Sequence, residues 1–244
     1  ELLKLDIESK ILNDNPLNNS KKKSIANCDN NIIFINKNYI KKIVNKIFIY
    51  TEKILKSFYL HSPRETFTWG FFGFDITKLK EYQDADIIHI HWFNQGFIKL
   101  KALSKINKPV IWTMRDMWAF TGGAHYTMDF EKYEHSNLSK KIQTIKKKIY
   151  KKNFKFVAIS DWLKNKAKKS EVLKEYDIKR IYNNISLQEF DLMEKNIAKT
   201  ILEISTKKQI ILYGAQNPQS KRKGWDIFVD TLKKLDKEKY FLLI

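Results

Sequence analysis

The chain has 244 residues, enough for one large or two small domains with a real core, and its 43% apolar and 14% aromatic content excludes wholesale disorder. Lys+Arg 46 against Asp+Glu 27 leaves a net charge of +19, but 42 of the bases are Lys and only four are Arg, beside 32 Ile and 19 Asn. Lys, Ile and Asn rising together indicate a compositional bias rather than one selected basic surface, and phosphate readers lean on Arg, so the charge is weak support for a nucleic-acid partner. Cys28 is the single cysteine, which excludes an internal disulfide or a thiolate metal centre and fits a reducing compartment. No apolar run approaches the length of a membrane span.

In chain order, Glu1-Leu-Leu-Lys-Leu reads as a helix already under way, without a secretory leader. Asn31 to Asn36 reads as a strand. Tyr39 to Leu60 lacks Gly and Pro and spaces Ile40, Ile43, Val44, Ile47, Ile54, Leu55 and Phe58 as one apolar helical stripe. Residues 61–83, with Pro63, Gly70 and Gly73, read as a loop. Asp86 to His91 is expected as a buried strand, then a helix near Gly96 to Ile106, then a strand from Pro109 to Met114. An irregular aromatic, Gly-rich segment runs from Arg115 to Tyr133. Ser139 to Lys152 forms a Lys-rich helix with Ile142, Ile145 and Ile149 on one stripe.

Phe154 to Ser160 is a strand, and Ser160 or Asp161 caps a helix to about Lys169. Ile178 to Tyr182 is another strand. Lys208 to Tyr213, a loop to Gly224, a helix to about Leu235 and a last strand from Tyr240 complete the pattern. That strand stops at Ile244, so both ends read as cut and the chain is expected to be a fragment. Strands alternating with helices predict βαβ units and a parallel, Rossmann-like α/β sheet. The pattern pauses from Asn184 to about Thr206. The expected domains are therefore 1–190 and 191–244, the second holding only a first β-α-β unit.

Ligands of open parallel sheets bind beyond the carboxyl ends of the strands, and three such ends carry chemistry. His89 and His91 share a strand face, with His91 nearest the crevice, where a ring nitrogen can bond a hydroxyl or take a proton. A strand histidine satisfied by its neighbours is the plainer alternative. Metal binding is a third, but His61, His125 and His135 do not repeat the placement. Trp112 to Tyr126 sets Arg115 beside Asp116 at a strand exit and then Gly122-Gly123, a backbone that a ligand can approach closely. Its plain alternative is a packed loop. Tyr213 to Trp225 is a strand, a loop with Lys221-Arg222-Lys223, and a helix start at Gly224, which together suit an anion. It is not a P-loop, and a solvated basic turn is the alternative.

Ala85-Asp-Ile-Ile-His-Ile-His-Trp92, Trp112-Thr-Met-Arg-Asp-Met-Trp-Ala-Phe-Thr-Gly-Gly123 with His125-Tyr126, Ile159-Ser-Asp-Trp-Leu163, and Gly214-Ala-Gln-Asn217 with Arg222-Lys-Gly-Trp225 occur in this order. Together they resemble the bacterial glycosyltransferases of family 4, of GT-B fold, and most closely a polysaccharide and colanic-acid-type branch. The resemblance implies retaining transfer of a sugar from a nucleotide-sugar to a hydroxyl acceptor, glycan or lipid-linked, in the cytoplasm and without a cofactor or required metal. It implies that the amino-terminal domain binds acceptor, the carboxy-terminal domain binds donor, and the cleft between them reacts. His91 matches a histidine beside the reacting sugar, and Lys223, with Arg222 and Gly224, matches the donor-diphosphate site. Arg115, Asp116, Gly122 and Gly123 fall on the acceptor side of the cleft, and Asn183-Asn184 at the interdomain hinge.

The same resemblance places a first strand before Glu1 and a donor-gripping glutamate pair after Ile244, so the fragment by itself is expected not to turn over. A four-cysteine cluster of the family has no counterpart, with Ala124 and Phe130 where its first two members fall. Arg115 stands where many relatives have His. Two rival readings follow from the charge: a basic nucleic-acid-binding module, and a membrane-surface contact made by the basic helix Ser139 to Lys152 on anionic lipid.

Overall fold

The architecture is that of a computed structural model, and the structure describes residues 10–13, 32–34, 39–60, 65–205, 207–215, 217–218 and 220–244. The readings placed on Glu1 to Leu5, on Cys28 and on Pro63 lie outside them. Two compact units divide the chain, Glu1–Tyr182 and Asn183–Ile244.

In the first unit, β1 (Ile11–Asn13) and β2 (Ile32–Phe34) form a parallel pair. Four further strands, β3 (Ile88–Ile90), β4 (Val110–Met114), β5 (Phe154–Ala158) and β6 (Ile178–Arg180), build one parallel sheet in that order. This is the Rossmann-like α/β arrangement that the alternating pattern predicts. Strand β4 is central, and its period of two buries Val110, Trp112 and Met114 while Ile111 faces out. Around Trp112 the rings of Phe93, Trp118, Tyr150 and Phe156 pack at centroid separations of 5.2 to 6.2 Å. Each ring withdrawn from water contributes about 1.5–3 kcal/mol, so this aromatic cluster anchors the sheet.

Several elements differ from expectation. Strand β3 is not fully buried: among the described strands it stands at the end of the sheet, with only Ile90 of its three residues in the core. Gly96 does not open a helix. Gln95 (φ 57°) and Gly96 (φ 81°) form a left-handed turn, and the next helix, α3 (Leu100–Leu103), is one turn long. A Cβ on Gly96 would lie 2.4 Å from Asn45 Oδ1, so close packing, not helix initiation, demands this glycine. The segment read as a loop ends in helix α2 (Lys80–Asp84), after a 3-10 turn at Ile76–Lys78 capped by Asp75.

Helix α1 (Tyr39–Tyr59) forms as its spacing predicts, but only one edge of its apolar stripe turns inward, with Leu55 packed on the core and Val44 half-buried. Its buried residues are the polar Asn45 and Glu52, whereas Ile40, Ile47, Ile54 and Phe58 are 74%, 56%, 57% and 79% exposed. Glu52 carboxylate oxygens accept from Thr68 Oγ1 and, at 3.1 Å, from the Gly70 amide, and these bonds hold the helix together with the Phe48 ring against Phe72 and Phe74.

Helix α4 (Glu131–Glu134) is short. Helix α5 (Asn137–Ile149) starts at Ser136, whose Oγ accepts from the Ser139 amide at 3.2 Å. Ile142 and Ile149 are buried on its stripe, and so is Lys146. Helix α6 (Asp161–Lys168) is capped by Ser160.

The second unit holds α7 (Lys195–Ile201), β7 (Gln209–Leu212), a 3-10 turn at Lys221–Lys223, α8 (Trp225–Leu232) and β8 (Tyr240–Leu243). Strands β7 and β8 pair in parallel, making a β-α-β unit. Helix α7 lies in a stretch whose polarity hides it; Glu194 caps it, accepting from the amides of Asn196 and Ile197. Asn183 and Asn184 are exposed at the start of this unit.

Candidate active site at the ends of β3 and β4

Register Ile90 to Trp112 places the residues leaving β3 beside those leaving β4. His91 and Trp92 from the first exit and Arg115 and Asp116 from the second line one cleft, floored by Trp112 and Trp118. The rings of His89 and His91 lie on one strand face with centroids 4.2 Å apart, and His89 Nε2 is 2.9 Å from Thr113 Oγ1. Partial burial lowers the pKa of both imidazoles; Arg115 lowers both further, and His89 adds to the effect on His91. Each ring is therefore held toward its neutral form, with a lone pair available as acceptor.

Asp116 is not a free carboxylate. Its Oδ1 accepts from the Trp118 amide at 2.9 Å and its Oδ2 is 2.6 Å from His125 Nδ1. His125 is 3% exposed, and its Nε2 finds no hydrogen-bond partner among the described residues; the same is true of Asn94 Oδ1 in the cleft wall. The sequence reading missed this pairing, because the two residues are nine apart in an irregular segment with no periodicity to bring them together.

Two further buried ionisable side chains support the wall, and neither shows in the residue pattern. Lys146 Nζ donates to the carbonyls of Trp118 and, at 2.9 Å, Thr121, and lies 3.5 Å from the centroid of the Trp118 ring. Complete burial pushes its pKa well down, opposed by Glu134 and Asp116. On the other side Trp118 Nε1 donates at 2.7 Å to the carbonyl of Thr68, the residue whose hydroxyl donates to Glu52 of α1. Burial raises the Glu52 pKa.

Gly122 and Gly123 are not among the residues that line the cleft. A Cβ on Gly122 would sit 2.0 Å from Ser139 Oγ, and Gly123 (φ 134°) holds a conformation that side chains rarely adopt, with Phe67 Cζ 2.6 Å from its missing Cβ. These glycines let the segment pack against α5, the Phe67 ring and the Thr68 carbonyl.

In the second unit Lys221, Arg222 and Lys223 form the 3-10 turn, and Gly224 (φ 68°) turns the chain into α8. Tyr213 Oη donates to the Lys223 carbonyl at 3.1 Å, and the Tyr213 ring stacks on Phe228 at 4.6 Å. The three bases thus lie immediately before an eight-residue helix. His91 and Lys223 belong to different units.

Among the described residues no three His, Cys, Asp or Glu side chains are grouped to hold a metal ion, and no helix is long and apolar enough to cross a membrane.

A parallel Rossmann-like sheet with ionisable groups gathered beyond its strand ends defines an α/β domain of the ligand-binding type. The model of Glycosyltransferase Family 4 matches residues 47–189, more than half of the sequence, and the chain belongs to that family. It is therefore a transferase acting between a sugar donor and an acceptor. The matched span contains the whole β3–β4 cleft and stops before the Lys221–Lys223 turn. No curated protein matches the chain.

Proposed function

We propose that the chain is the acceptor-side domain and the first donor-side unit of a retaining hexosyltransferase of GT-B type. It would move a sugar from a nucleotide-sugar to a hydroxyl of a glycan or lipid-linked acceptor in cell-surface polysaccharide synthesis. The observation that carries this reading is the convergence of His91, Arg115 and Asp116 at the exits of two adjacent strands in a family 4 chain.

In this scheme the bond from the anomeric carbon to the diphosphate breaks, leaving its electron pair on the phosphate oxygen. The acceptor oxygen bonds the same carbon from the same face, and its proton passes to the departing phosphate. Lys223 and Arg222, with the Gly224 amide, stabilise the diphosphate charge as it develops, and fixed cations there lower the barrier more than they tighten the ground state. His91, neutral at its strand end, accepts a hydroxyl proton in a hydrogen bond at the reacting sugar. Arg115 and Asp116 shape the acceptor side, and Asn183-Asn184 form the hinge. The cations come from the chain itself, so the scheme requires no cofactor and no metal. The setting is cytoplasmic, with peripheral contact on anionic membrane and no nucleic-acid partner.

The test is the anomeric configuration of the product made by the enzyme that carries this sequence, read by proton NMR from an α-linked nucleotide-sugar. An α-linked product is expected; a β-linked product, or transfer without release of nucleoside diphosphate, overturns the reading. A salt titration against random duplex DNA separates the rival, which requires affinity that falls steeply with ionic strength.

A further inference from the structure

Helix α1 turns a mixed side inward, where Phe48 meets Phe72 and Phe74 and Leu55 packs on the core, and an apolar side outward. Asn45 and Glu52 face the protein, Glu52 bonded to Thr68 and Gly70. Tyr39, Ile43, Ile47, Tyr50, Ile54 and Phe58 recur in steps of three or four residues on the other side, with Ile40 beside Tyr39, and every one is exposed. The stripe runs the 21-residue length of the helix, about 31 Å at 1.5 Å per residue. A continuous exposed apolar band of that kind marks an interaction surface.

The chemistry of the band selects its occupant. The exposed Lys42, Lys46 and Lys53 follow one flank of the stripe, and Lys53 Nζ lies 5.5 Å from the centroid of the Tyr50 ring. The helix has one carboxylate, Glu52, and it is buried, so the outer surface of α1 is apolar and cationic with no acid. A second copy of a chain with net charge +19 would bring like charges together there. Tyr rings with an apolar body and a polar tip suit a boundary that is dry on one side and wet on the other. From these features we infer that α1 lies in the plane of an anionic lipid surface, with its isoleucines and Phe58 in the acyl boundary and its lysines among the headgroups. The contact deepens the peripheral location proposed above and moves it from the basic helix α5 to α1.

Vesicle binding is measured without donor or acceptor, so its failure leaves the glycosyl-transfer reading standing. The full-length protein is sedimented with vesicles of phosphatidylcholine alone and of phosphatidylcholine with phosphatidylglycerol. Binding is expected to the anionic vesicles only, and Ile40→Asp with Ile47→Asp is expected to weaken it at least tenfold. The substituted positions are exposed, and an unchanged circular-dichroism spectrum checks the fold. Lys140→Glu with Lys148→Glu on α5 is expected to change binding less than threefold. In Tyr50→Trp, the emission of the added indole, read as the difference from the parent protein, is expected to shift blue on adding anionic vesicles. Retained binding by the double aspartate variant, a larger loss from the α5 variant, or an added indole whose emission is already blue without vesicles would each overturn the inference, the last because protein then covers the face.

Discussion

His125 Nδ1 lies 2.6 Å from Asp116 Oδ2, and the same carboxylate receives the Trp118 amide through its other oxygen. This one side chain therefore ties the exit of β4 to the segment that returns past it. The other ring nitrogen, Nε2, on a ring only 3% exposed, finds no hydrogen-bond partner among the described residues. Asp116→Asn and His125→Ala are each expected to cost about 2 kcal/mol of stability, the scale of a buried hydrogen bond to a charged group. In a urea-denaturation double-mutant cycle the coupling is expected to be about 1–3 kcal/mol. Strict additivity would show that the pair contributes nothing jointly.

Lys146 is expected to matter for the cleft floor without touching substrate. Lys146→Met keeps most of the stem volume but leaves the carbonyls of Trp118 and Thr121 without their donor, each worth about 1–3 kcal/mol when orphaned in the interior. A loss of about 2–4 kcal/mol is expected from denaturant midpoints at unchanged slope.

Gly122→Ala is expected to destabilise the first unit by about 1–3 kcal/mol through overpacking. The new Cβ would meet not only Ser139 Oγ but also the Ser139 Cα at 2.6 Å, and backbone inside the first turn of α5 cannot rotate away. The companion change Ser139→Gly removes the side-chain part of the clash, and partial recovery of the midpoint in the double variant is the expected result.

Acidification tests the state of His89 and His91. Both pKa values lie below the ordinary 6.5, through partial burial first and the neighbouring cations second. Below 6.5 the unfolded chain binds protons before the folded one does. Stability contributed by these rings is thus complete above pH 6.5 and falls as the pH drops from there toward the folded-state values. If neutral His91 acts at the sugar, kcat/KM stays level from about pH 8 to 6.5 and falls only below that. His91→Ala is expected to lower kcat about tenfold or more with little change in donor KM and to remove this acid limb.

Lys223→Ala is expected to raise donor KM and lower kcat together, by about tenfold each, since a cation lost from a developing diphosphate charge weakens both ground and transition states. Lys223→Arg should recover part of the donor affinity. An unchanged kcat/KM in Lys223→Ala would remove the residue from the donor site.

Alternation of short β-branched runs with helical stretches made the parallel sheet legible from sequence, because residues such as Val110, Trp112 and Met114 carry the period of two that a buried strand requires. Ser160 and the His89/His91 spacing were legible for the same reason: capping and strand phase are local, set within a few residues. The inward face of α1 was not legible, since its periodicity identifies an apolar stripe but not the direction in which it points. That direction is decided by Thr68 and Gly70, which meet Glu52 from 16 and 18 residues away. Nor could spacing reveal that Asp116 is bound to His125, that Lys146 is buried under Trp118, or that Gly122 is reserved for Ser139. Local backbone preferences act along the chain and so can be read from it, whereas burial of a charge and the facing of a helix depend on partners that only folding brings within hydrogen-bond reach.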